Sequence, residues 1–190
     1  MLVLFVLVVA LLHRKITEID AERNATKAQL EVIKEIENST QNIDSNYFTY
    51  NAKNRKHVLN IKVQFENGSA NIDDIDEDTQ RELIRAGKKV QYFINDITRK
   101  HPEINYLLVI EGQASKDAFR RNYELSYARA LALKKLWESE GIRFGDKCEV
   151  VIAGNGDGKL SGTGFMRETD ERKNQRFLIH ILPKTSIPEK

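Results

Sequence analysis

The chain has 190 residues, 41% of them hydrophobic and 31% charged, which is room for one core of about 100 to 150 residues plus an extension. Thirty basic residues against 28 acidic ones leave a formal charge of +2, so no single-sign field is available to hold nucleic acid or an anionic bilayer. A lone cysteine, Cys148, excludes an intramolecular disulfide, the four histidines (His13, His57, His101, His180) have no metal-ligand spacing, and no G-x-S-x-G turn, P-loop or cofactor motif is present.

Residues 1–12, MLVLFVLVVALL, form an uninterrupted apolar run that ends at His13, Arg14 and Lys15. A spanning helix needs about 20 apolar residues, and this run reaches about 18 Å of the roughly 30 Å of hydrocarbon. No basic residues precede it and no small-residue cleavage pattern follows, which argues against a signal peptide; it has no polar face, which argues against a core helix. The remaining reading is a partial transmembrane helix that begins upstream of Met1.

Residues 13–41 turn polar and charged, with Ile16, Ile19, Arg23, Thr26, Leu30 and Ile33 at alternating three- and four-residue intervals. That is a heptad seam weakened by Arg23 and Thr26, so the segment is read as a helical stalk, either a coiled coil or a lone solvated helix. Without proline or glycine, 1–41 is expected to be one helix. The asparagine-rich stretch 42–56 has no apolar period and reads as a linker, with Tyr47, Phe48 and Tyr50 able to pack on the domain.

The domain is expected over 57–183, with 184–190 as a tail. Residues 58–65 alternate as a strand; 76–100 carry Leu83, Gly87, Val90, Ile94 and Ile97 at helical spacing before Pro102; 104–111 contain the continuous apolar run of a covered strand. A second helix is expected over 122–140, with Asn122 as N-cap and Gly141 as a left-handed end, then strands at 148–153, where Cys148 reads as a small buried residue, and 176–182. Residues 154–174 between them read as a long polar loop. Its NGDGKLSG segment has some likeness to a calcium loop but lacks the alternate acidic ligands and closing glutamate of an EF-hand. The expected fold class is α/β (α+β): a two-layer sandwich of order β-α-β-α-β-β, with both helices on one face of a mixed sheet and a long helix in front.

Three motifs carry a family resemblance. EGQASKDAFRRNYELSYARA and the closing Gly141-Ile142 match an E-G-H-T-D, N-x-x-L-S-x-x-R-A and G-I pattern at Glu111, Gly112, Asn122, Leu125, Ser126, Arg129 and Ala130; FENGSA at 65–70 matches F-x-x-G-S-A; Asn174, Gln175 and Arg176 match N-R-R. In this order they resemble the OmpA-like/MotB C-terminal peptidoglycan-binding family, over about 58–182. The resemblance implies a non-enzymatic, cofactor-free domain in the periplasm of a bacterium, tethering the cell membrane to the cell wall.

It further implies that Arg129 grips a carboxylate of diaminopimelate in the peptide stem, with Asn122, Leu125 and the loop after Gly112 lining the pocket. Independently, Arg129 lies one turn from Leu125 and Leu133, beside an apolar face and near a helix N-terminus, where a carboxylate is favoured; the partner is either a ligand or an internal acid such as Glu111, Asp117 or Glu124. Two departures stand out. Ser115 occupies the place of the family aspartate that holds the ligand ammonium, leaving Asp117 as its replacement, and Gln175 replaces the first arginine of N-R-R. The apolar start is similar to MotB-like stator subunits, including the ZorB component of anti-phage Zorya systems. That implies, as an alternative role, the stator of an ion-driven complex, a homodimer beside a MotA-like membrane partner. No aspartate, glutamate or lysine lies within 1–12 to relay a proton.

Overall fold

The computed structural model describes residues 2–41, 43–117, 120–158 and 167–184, without the side chains of 2–12, 37 and 40. The apolar side chains of the expected anchor, half of the calcium-like segment (159–162) and the tail 185–190 therefore lie outside the described residues. The chain divides into two compact units, Met1–Ser39 and Thr40–Lys190.

The first unit is a single helix, α1 (Leu2–Thr40), as the absence of proline and glycine predicts. Thr17 Oγ1 donates to the carbonyls of His13 and Arg14 (2.9 and 2.8 Å), and Thr26 Oγ1 to that of Glu22 (2.8 Å), so the hydroxyls do not compete for the helical N–H groups. Ile16, Ile19 and Leu30 of the heptad stripe are 56%, 51% and 50% exposed. Among the described residues no helix is long and apolar enough to cross a membrane: in α1 the apolar stretch stops at Leu12, and Arg14, Lys15 and Glu18 fall within one spanning length.

The second unit holds β1 (Phe48–Asn51), β2 (Lys56–Leu59), α2 (Glu77–Lys100), β3 (Asn105–Gln113), α3 (Asn122–Ser139), β4 (Cys148–Gly154) and β5 (Arg176–Lys184). The sheet order is β1-β2-β5-β3-β4; β3 and β4 run parallel across α3, and the other pairs are antiparallel. Tyr106, Leu108 and Ile110 are fully buried beneath the helices, while Leu107 and Val109, on the opposite face, are only half-buried. The mixed α+β fold with one helical layer is thus present, with one strand more than expected.

That strand corrects the linker reading of 42–56. Phe48 pairs with Leu59 and Tyr50 with His57 in a hairpin, and Phe48 is 3% exposed. The turn is closed by Asn51 Oδ1, which accepts from Asn54 N–H, and by Arg55 in a left-handed conformation (φ 52°). Conversely, the strand expected over 58–65 ends at Leu59. Asn60 N–H donates to the Tyr47 carbonyl (2.9 Å) and its side chain accepts from Thr49, so residue 60 is bound to the hairpin and the chain turns away from β5.

α2 starts where Asp76 accepts from Thr79 N–H (2.9 Å) and ends on Arg99 and Lys100 before Pro102. Its buried face, Leu83, Ala86, Gly87, Val90, Ile94 and Ile97, meets Trp137 of α3, whose indole N–H donates to the Leu83 carbonyl (2.9 Å). A Cβ on Gly87 would lie 2.5 Å from that indole nitrogen, so the glycine is what admits the ring. α3 ends at Gly141 (φ 73°), as expected. Its N-cap, however, is Arg121, which makes no capping bond with its side chain; Asn122 is 5% exposed and engaged elsewhere.

Candidate functional site

The site is built where α3 lies directly on the sheet. Gly112 and Gly154 face each other across the β3–β4 ladder, and α3 rests on both. A Cβ on Gly112 would stand 2.0 Å from the Ser126 carbonyl oxygen, and one on Gly154 would stand 2.6 Å from Tyr127 N. Ser126 Oγ accepts from Gly156 N–H (2.8 Å), and Ala114 N–H donates to the Gly156 carbonyl (2.8 Å). Asn155, Gly156 and Asp157 are consequently buried, so the start of the expected solvated loop is packed structure. Gly112 itself does not line the neighbouring cavity. Its role is to admit the helix, which corrects its placement among the ligand-contacting residues.

This docking carries Arg129 to the edge of the core, where it is 5% exposed. Its Nε–H donates to the Ser69 carbonyl (2.9 Å), and its guanidinium sits 4.6 Å over the Phe65 ring, a cation–π contact; Phe65 in turn stands edge-on to Phe177 at 6.4 Å. Among the described residues Arg129 makes no ion pair with a carboxylate. Glu111, one candidate partner, is instead paired with Lys56 (2.6 Å) and accepts from Asn155, and Glu124 lies near Arg121 (3.5 Å). Burial pushes the Arg129 pKa below its ordinary value, and the charge of Asp117 acts in the opposite direction.

Arg129, Asn122, Leu125, Ser115 and Asp117 line one cavity of about 210 Å3, together with Phe65, Glu66, Asn67, Gly68 and Gln175. A hydrogen-bonded rail forms one wall. Gln175 Nε2 donates to Ser115 Oγ (3.1 Å), Ser115 Oγ donates to Asp117 Oδ2 (3.1 Å), and Asn122 Nδ2 donates to Asp117 Oδ1 (3.2 Å). The two departures from the family motifs therefore touch: a neutral Ser115–Gln175 hydrogen bond stands where the pattern has an aspartate and an arginine.

The loop that bears the rail is clamped from behind. Glu171 Oε2 accepts from Lys116 N–H (2.8 Å), from Asn174 Nδ2 (3.0 Å) and from Arg167, which also donates to the Ala114 carbonyl (3.0 Å). Burial works to raise the Glu171 pKa, but these bonds outweigh it and leave the carboxyl below its ordinary value. Arg176, the one arginine left of N-R-R, donates to Gln113 Oε1 (2.9 Å) and stands 3.6 Å from Glu168.

Among the described residues the lining has one cation, Arg129, and two carboxylates, Asp117 and Glu66, and holds no histidine or cysteine. It suits a ligand bearing both a carboxylate and an ammonium. Among the described residues no cluster of three metal-ligating groups exists. Phe65, Glu66, Asn67 and Gly68 were not among the sequence-derived site residues, although they lie inside the FENGSA motif; Glu66 gave no separate signal.

No family model and no curated protein matches the chain. Among solved structures it is similar to the periplasmic domain of Helicobacter pylori MotB, at 21% identity over 68% of this chain and 74% of that one, with a TM-score of 0.44. A putative MotB-like protein from Desulfovibrio vulgaris is similar at 15% identity over 88% of this chain and 98% of that one (TM-score 0.43). An outer membrane protein from Borrelia burgdorferi B31 is similar at 20% identity over 67% and 88% of the two chains (TM-score 0.43).

Proposed function

We propose that this chain is a non-enzymatic tether whose C-terminal domain, beginning ahead of the β1–β2 hairpin, binds the peptide stem of peptidoglycan in the periplasm, with the apolar residues 1–12 facing the cell membrane. The observation that carries the reading is Arg129: a guanidinium 5% exposed, oriented by Ser69 and Phe65, lining a cavity and without an ion pair among the described residues. A buried guanidinium with no carboxylate in direct contact is costly, and a ligand carboxylate in the bidentate geometry that arginine offers would relieve that cost. Asp117, held by Ser115 and Asn122, would take the ligand ammonium in place of the family aspartate. In diaminopimelate the end of the side chain supplies both groups.

Purified sacculi should retain the full-length chain, and Arg129→Ala should abolish retention while leaving the circular dichroism spectrum unchanged. Retention of a folded Arg129→Ala variant at the wild-type level would remove the reading.

The exposed stripe of Ile16, Ile19 and Leu30 further supports a weak parallel dimer through 13–41, because such a stripe gains by burying itself in a second copy. Sedimentation showing only monomer at high protein concentration would count against it.

A further inference from the structure

Gln175 lines a second space besides the Arg129 cavity. β2 pairs with β5 only at His57↔Ile179 and Val58↔Leu178, after which the chain and β5 diverge. The gap is a groove of about 450 Å3, with residues 58–64 on one wall and the 170–176 turn on the other. A small void of about 10 Å3, room for about one water, lies between Val63, Phe65, Arg129, Gln175 and Arg176.

Two properties of the groove point to an occupant. Among the described residues its lining carries Lys62, Arg172, Lys173 and Arg176 against the carboxylate of Asp170, whereas the cavity carries one cation and two carboxylates. This opposition is local, since the whole chain is only +2. Second, Ile61, Lys62, Val63 and Gln64 make no hydrogen bond among the described residues, although Val63 is 4% exposed. Lys62 and Gln64 on either side of Val63 are exposed, and such a stretch of accessible, unpaired backbone suits the amides of an extended peptide.

We propose that the groove is a second subsite for the peptide stem, resting on the reading of the Arg129 cavity as the stem-binding site. The residue with the ammonium and carboxylate sits in the cavity. The next residue along the stem, bearing a free carboxylate, passes over Gln175 and meets the cationic wall, while its amides pair with the 61–64 backbone. The chain thereby reads two consecutive stem residues, and amidation of the second carboxylate is a modification it discriminates against.

Calorimetry on the full-length chain tests this with three probes: free meso-diaminopimelate, the tripeptide L-Ala–γ-D-Glu–meso-diaminopimelate, and the same tripeptide with the glutamate α-carboxylate amidated. The unmodified tripeptide should bind about ten- to a hundredfold more tightly than free diaminopimelate, the size of one charge-assisted hydrogen bond. Amidation should remove most of that gain. So should the double variant Lys62→Ala/Lys173→Ala, while its binding of free diaminopimelate stays at the wild-type level, because the cavity contains neither lysine. Equal affinity for the three probes, or a gain that survives both amidation and the double variant, overturns the second subsite and leaves the first standing. Failure of all three probes to bind wild-type protein overturns both.

Discussion

Gly112→Ala probes the join between fold and site. The new Cβ would lie 2.0 Å from the Ser126 carbonyl oxygen and 2.9 Å from its carbon. A carbon and an oxygen meet comfortably at about 3.3 to 3.6 Å, so α3 or β3 must shift by about 1.3 to 1.6 Å. Both sides of the contact are backbone, and no rotamer change can absorb the shift. Overpacking typically costs about 1 to 3 kcal/mol, and this site belongs at or above the upper end. At a urea m-value of about 2 kcal/mol per molar, a loss of about 3 kcal/mol lowers the unfolding midpoint by roughly 1.5 M. The shift also displaces Arg129 and Asn122, so sacculus binding should fall further than the unfolded fraction explains. Gly141→Ala is the control: it meets nothing within 4 Å but must hold φ at 73°, so it should cost about 1 kcal/mol and leave binding intact. A Gly112→Ala variant with wild-type midpoint and binding would refute the reasoning.

The rail predicts that Asp117→Asn weakens diaminopimelate binding about ten- to a hundredfold, the loss of one charged hydrogen bond, and that Ser115→Ala weakens it less; calorimetry giving the reverse order would show that Asp117 does not hold the ammonium. His180 gives a pH dependence. Burial first, then the charges of Lys56, His57 and Arg55, push its pKa from 6.5 down to about 4. Between those values the unfolded chain binds more protons, so this contribution is fully present above pH 6.5 and is lost as the pH falls towards 4. Its size is on the order of 3 kcal/mol, and urea titrations at pH 7.5 and 4.5 should show a loss in wild type that His180→Leu lacks. Burial also pushes the Cys148 thiol up to about 11, against a lowering from the Leu108 backbone, so native protein at pH 8 should react with iodoacetamide roughly a hundredfold more slowly than urea-unfolded protein. Comparable rates would place the thiol outside the core.

α2 and β3 were legible because each obeys one dominant pattern, the 83–97 face of α2 and the apolar run of β3 whose alternate residues turn out to be buried; α1 and α3 were legible from their lack of proline and glycine and, for α3, from Gly141 at its end. The hairpin of β1 and β2 was hidden, since four-residue strands separated by one short polar turn give too few alternations to outweigh the asparagine-rich composition of the stretch. The departure of 60–64 from β5 was equally hidden. It depends on Asn60 bonding to Tyr47 and Thr49, a tertiary contact without a local period.

Within the site, the residues gathered by motif do converge on one cavity, and the exception, Gly112, is instructive. In sequence a glycine after a strand reads equally as a ligand loop or as a place for close packing, and only the 2.0 Å approach of Ser126 distinguishes them. Asn122 is the mirror case: its position reads as a cap, yet its side chain holds Asp117. The contact between Ser115 and Gln175 could be suspected only from two separate departures that span 60 residues.

An NMR titration of the full-length chain in detergent with soluble peptidoglycan fragments, following the Nε–Hε resonance of Arg129, would report directly on the proposed ligand contact. Engagement of a carboxylate should shift that resonance strongly, and the Asn122 side-chain amide with it, both saturating at one common Kd. Saturable shifts confined to other surfaces, with Arg129 and Asn122 unmoved, would contradict the assignment of this cavity as the peptidoglycan site.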